Sequence, residues 1–152
     1  MGLFGLGKKI AGAVTTEIKG ANGENSDALE ALCAAAALAA AGDGDIGSSE
    51  RAKGLSLVKR HKKMSAIYKE ADIERMVEAM FKQAEDSAGR QQLARELKEV
   101  VKPENKELCE DCFLIAKEVC ADPATGEVDP KEQVQLDRLA KLLNVNPDDF
   151  LF

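Results

Sequence analysis

A chain of 152 residues is long enough to bury a core and is most simply read as one domain. With 45% hydrophobic and 32% charged residues, no Trp, one Tyr and five Phe, it must fill its interior with Ala, Leu, Ile, Val and Met, which favours close-packed helices over a sandwich. A net charge of −6 argues against nucleic-acid binding, which needs a basic stripe, and suits a cation or a basic partner instead.

Residues 1–20 place Leu3, Leu6, Ile10, Val14 and Ile18 at helical spacing, with Lys8, Lys9 and Lys19 on or beside the other face. Two readings stand side by side: peripheral contact with an anionic membrane, or a helix packed on the domain or frayed from it. Five Gly weaken a helix here, and Gly2 makes no myristoylation signal because position 6 is Leu. Gly20 to Ser26 reads as a polar linker, which divides the chain into an arm with linker over 1–26 and a helical domain over 27–152.

Ser26 or Asp27 can cap a helix over 27–41 whose small side chains let neighbours approach closely. Its run from Ala28 to Ala41 carries Glu30 and falls short of the roughly 18 residues of a membrane span. A helix over about Ser48–His61 follows, and the cations of Lys59–Lys63 suit its C-terminus. Ile73, Met76, Val77, Met80, Phe81 and Ala84 share one face of a helix over Glu70–Glu85. Ser87 caps the next helix and Pro103 ends it; then come helices over about Glu104–Ala121 and Pro130–Leu143, and a short turn opened by Asn146-Pro147. No period-two run intervenes. The expected fold is all-α, a compact bundle of seven to eight helices.

Two acidic loops repeat within it. Asp43-Gly44-Asp45-Ile46-Gly47-Ser48-Ser49-Glu50 aligns from Gly44 onward, without a gap, with Gly126-Glu127-Val128-Asp129-Pro130-Lys131-Glu132. Asp122 matches Asp43 only across three inserted residues, Pro123-Ala124-Thr125, and Cys33 and Cys112 fall at equivalent places upstream. Such self-similarity implies an internal duplication with pseudo-two-fold symmetry inside one domain.

Neither loop is a standard EF-hand. In the first, Asp43, Gly44, Ile46 and Glu50 fit the second half of the pattern, but Ala39 and Ala41 stand where early ligands belong. In the second, Asp122 lies one residue too close to serve as the first ligand. Helix capping explains Glu50, Asp129 and Glu132 as well as a metal does, with Asp129-Pro130-Lys131-Glu132 as a capping box and Gly44 and Gly126 supplying positive φ. Capping explains Asp43, Asp45, Asp122 and Glu127 less well. If the duplication joins the loops, the gathered carboxylates call for a hard divalent ion, Ca²⁺ or Mg²⁺.

These two loops in this order, followed by the tail Leu139 to Phe150, resemble the TerB family of tellurite-resistance proteins over roughly residues 27–152. The resemblance implies a compact helical fold of bacterial or phage origin and a non-enzymatic role in tellurite resistance and related stress. It also implies action beside membrane-bound and metal-binding partner proteins from the same system. The family's acidic positions correspond to Asp43, Asp45, Glu50, Asp122, Asp129 and Glu132, with Glu127 between positions. The inserted Pro123-Ala124-Thr125 departs from the family pattern and bears on where Asp122 points.

The thiols suggest an alternative. Cys109-Glu110-Asp111-Cys112 spells C-x-x-C, yet there is no second pair for zinc, and His61 is the sole His. With no secretory signal, four Cys read as reduced cytosolic thiols, and the expected localisation is cytoplasmic, against or near the inner face of a membrane. Core packing accounts for the Cys; the competing reading makes Cys109 and Cys112 a redox or tellurite-scavenging pair. No nucleophile–base pair or phosphate loop appears, so no catalysis is expected.

Overall fold

A computed structural model describes residues 23–42 and 46–150. Seven α-helices and two 3₁₀ turns make up its regular structure among these residues: α1 (Gly23–Ala40), α2 (Ser48–Lys59), α3 (Lys62–Ile67), α4 (Glu70–Gln83), α5 (Ser87–Lys98), α6 (Lys106–Cys120) and α7 (Pro130–Leu143), with turns at Pro103–Asn105 and Pro147–Phe150. The only β-type pairing described is an isolated antiparallel bridge between Ala121 and Val128. The fold is all-α, as composition and periodicity require. The proposed helical arm at residues 1–20 lies outside the described residues.

α1 is the axis of the bundle. From Leu29 to Ala41 every residue is buried, so the helix is apolar on nearly every side and packs against α2, α4, α5, α6 and α7. Ala at 34–37 and 39–41 keeps its surface low, and Leu29, Leu32 and Leu38 fill the gaps, each worth about 1.5–3 kcal/mol when fully buried. Around it, α4 contributes the stripe Ile73, Met76, Val77, Met80 and Phe81, and α6 contributes Cys112, Phe113, Ala116 and Val119.

Several boundaries differ from expectation. α1 starts at Gly23, inside the stretch read as a linker, and ends at Ala40. The helix expected over 48–61 stops at Lys59, and a separate six-residue helix, α3, follows. Its cap is His61, whose Nδ1 accepts the Met64 amide at 3.3 Å, so this residue ends no solvated tail. Lys59 is likewise engaged, 2.6 Å from Glu74 and 3.9 Å from Glu70, and the hydrogen bond to Glu74 raises its pKa. Asp86, not Ser87, caps α5 by accepting the Gly89 amide at 2.6 Å. α5 ends at Lys98, before Pro103, which opens a 3₁₀ turn, and α6 begins at Lys106.

Candidate functional site

The second acidic loop is a closed turn. The Asp122 amide donates to the Glu127 carbonyl at 2.7 Å, and the Gly126 amide donates back to the Asp122 carbonyl at 2.8 Å. Gly126 sits at φ 74°, the left-handed conformation expected for it. Asp122 Oδ1 accepts the amides of Ala124 and Thr125 at 2.8 and 3.1 Å, so its carboxylate wraps the three inserted residues. Asp129 Oδ1 accepts the amides of Lys131 and Glu132 at 2.7 and 3.2 Å, capping α7 behind Pro130 at its first turn. In both aspartates the hydrogen bonds from described residues converge on Oδ1, and none of them reaches Oδ2. A cap is therefore compatible with a ligand.

The first loop behaves differently at its helix. Gly47 occupies the cap of α2 and no side chain caps it, so the capping chemistry expected of both copies is present in the second alone. Glu50 lies in the first turn of α2, where a carboxylate meets the positive end of the helix dipole. Asp43 and Asp45 lie outside the described residues.

The two copies meet. Ser49, Glu50 and Lys53 of α2 share a cleft of about 280 Å³ with Asp122, Glu127, Asp129 and Glu132. Cys120, the last residue of α6, forms part of its wall. Burial raises the Cys120 pKa most; the Glu132 carboxylate adds to this by its charge and by accepting a hydrogen bond from the thiol, Glu50 adds charge, and Lys53 opposes. Carboxylates from both copies thus act on the same sulfur atom. Its Sγ also lies 3.6 Å from the Ala39 carbonyl, and Gln135 Nε2 donates to the Leu38 carbonyl at 3.1 Å. The second copy thereby satisfies carbonyls at the C-terminus of α1.

Sequence reasoning missed two residues of this cleft. Lys53 donates its ammonium to the Ala121 carbonyl and places a tethered cation among the acids. Cys120 was visible only as a core thiol. Among the described residues, no three His, Cys, Asp or Glu side chains are gathered closely enough to hold a metal ion.

A family model described as tellurite resistance protein TerB matches residues 27–151. The chain belongs to the TerB family. No curated protein and no solved structure matches it significantly. Of the acidic positions carried over from TerB proteins, Glu50, Asp122, Asp129 and Glu132 line the one cleft, and the in-between Glu127 lines it too. Pro123-Ala124-Thr125 form the Asx turn on Asp122 and leave that residue on the cleft wall.

All four thiols are buried in this TerB domain. Burial, helped by the Glu30 charge, raises the Cys33 pKa, and burial with the neighbouring Cys109, Asp111 and Cys33 raises that of Cys112 well above the ordinary thiol value. Burial and then Glu110 raise that of Cys109. A reactive thiol needs the opposite environment. Among the described residues no helix is long and apolar enough to cross a membrane.

Proposed function

We propose that this TerB-family chain is a non-enzymatic component of tellurite resistance whose acidic cleft binds a hard divalent cation, Ca²⁺ or Mg²⁺. The observation that carries the reading is convergence: Glu50 from one copy of the repeat and Asp122, Asp129 and Glu132 from the other line a single cleft. Oxygen donors select a hard ion, and the Oδ2 atoms of Asp122 and Asp129, which the capping amides leave aside, are the ones to offer. The described residues do not assemble a ligand shell by themselves. In this reading Asp43 and Asp45 complete it, and Lys53 balances the carboxylates until the ion enters. The partner is a protein of the same resistance system, drawn to a surface whose charge the ion resets. Burial of Cys109 and Cys112 favours packing over the alternative, a thiol sink for tellurium.

Calorimetric titration of metal-stripped protein with Ca²⁺ and Mg²⁺ tests this, with an Asp122→Asn/Asp129→Asn variant beside it. Asn caps a helix about as well as Asp, so the variant keeps the turns and removes the anionic ligands. Saturable heat in the wild type, weakened at least tenfold in the variant, is the expected result. No heat and an unchanged melting temperature at millimolar ion would reduce the cleft to two capped turns.

A further inference from the structure

The acidic cleft already holds a cation of its own. Lys53, in the second turn of α2, donates its ammonium to the carbonyl of Ala121, the residue that caps α6 at its C-terminus. Both residues line the cleft, among the carboxylates of Glu50, Asp122, Asp129 and Glu132. The Cys120 thiol marks where the charges act. Beyond the effect of burial, Glu132 and Glu50 hold its proton on and Lys53 opposes them, so ammonium and carboxylates bear on one sulfur atom. Any helix gains from a lysine at its C-terminus, where the last carbonyls lack partners within the helix and carry the negative end of its dipole. That accounts for the hydrogen bond but not for its setting. A backbone carbonyl beside carboxylate oxygens is a Ca²⁺ donor set, so the ammonium is seated on groups that a hard ion would use.

We propose, on the cation-binding reading of this cleft, that Lys53 is its built-in competitor: a divalent ion enters only by displacing the Lys53 ammonium from the Ala121 carbonyl. Two effects come from the position of this one side chain. A fixed positive charge at close range in a half-buried cleft lowers affinity for a divalent ion by about tenfold or more, so Lys53 sets the ion concentration at which the cleft fills. The same hydrogen bond ties α2, which follows the first acidic loop, to the end of α6, which precedes the second. Entry of the ion releases that tie, and occupancy is passed to the junction of the two copies.

The test compares the full wild-type chain with three variants. Lys53→Met keeps the stem and its preference for helix but removes the charge, and Lys53→Arg keeps the charge. Lys131→Met removes the same unit of charge from an exposed position of α7 that does not line the cleft. Each metal-stripped protein is titrated calorimetrically with CaCl₂ and with MgCl₂, and melting curves in chelator establish that all four are folded. Lys53→Met is expected to bind at least about tenfold more tightly than wild type, with Lys53→Arg and Lys131→Met within about threefold of it. Saturable binding of equal strength in Lys53→Met and wild type would overturn the proposal while the cation reading stands, and would make Lys53 a cap of α6 alone. An equal gain in Lys131→Met would also overturn it, because net charge and not position would then be the cause. Heat in none of the four proteins would overturn both.

Discussion

Raising the pH from 8 to 10 in reducing buffer is expected to cost the fold a few kcal/mol, on the order of 1 kcal/mol for each of three buried thiols. Cys33, Cys112 and Cys120 are each at most 5% exposed, and burial leads the causes that raise their pKa values. A raised value means that the folded state holds its proton where the unfolded state has released it. The stability is therefore complete below the ordinary thiol value of 9.0 and drains away as the pH climbs from there toward the folded-state values. Tyr68, pushed up to about 12 by burial and then by Glu30 and Asp27, extends the loss above its ordinary value of 10.0. Urea midpoints at the two pH values measure the effect. A Cys33→Ala/Cys112→Ala/Cys120→Ala variant should start less stable and lose less between pH 8 and 10. Equal losses in the two proteins would show that the thiols are not the source. The same protonated state makes these sulfurs poor nucleophiles, which is why the acidic cleft rather than the C-x-x-C motif is the functional candidate.

Gly89→Ala is expected to destabilise the protein by about 3 kcal/mol, near the upper end of ordinary overpacking. A methyl group there would lie 1.8 Å from the carbonyl oxygen of Gln83 and 2.9 Å from its carbon. Ala is the better helix former by about 1 kcal/mol, but that gain cannot offset a collision with backbone that has no rotamer to turn away. The turn is also pinned by the Asp86 cap on the Gly89 amide. At roughly 2–4 °C per kcal/mol for a chain of this size, the melting temperature should fall by about 6–12 °C. Gly54→Ala offers a comparison. Its added carbon meets the ring tip of Phe81 at 2.8 Å, and a side chain can shift, so the loss should be smaller. A Gly89→Ala melting temperature within two degrees of wild type, about the effect of a single weak contact, would show that the α4–α5 corner yields freely.

Where the physics is local, the sequence was enough. α7 runs from Pro130 to Leu143 as read, because Asp129-Pro130 sets its start and Asn144, at φ 56°, stops it. α4 was legible from one apolar stripe that is buried throughout. α3 was not, since six residues are too few to display a period and its cap is a histidine. Gly23, Glu24 and Asn25 begin a helix with two residues that local preference disfavours, so the start of α1 was placed late. In the cleft, the aligned repeats pointed to Glu50, Asp122, Asp129 and Glu132. Nothing local could pair Lys53 with the Ala121 carbonyl across 68 positions, or turn Cys120 toward Glu132 and away from its neighbours on α6.

A single axis touched by every other long helix has a consequence for how the molecule comes apart. Amides of α1 between Leu32 and Leu38 have no partial opening that would bare them, because each neighbour that could lift away leaves others in place. Their exchange with solvent should therefore report the global unfolding equilibrium, while the ends of α2 and α7 exchange through smaller local openings. A fragment lacking α6 and α7 would therefore leave one side of α1 without its wall.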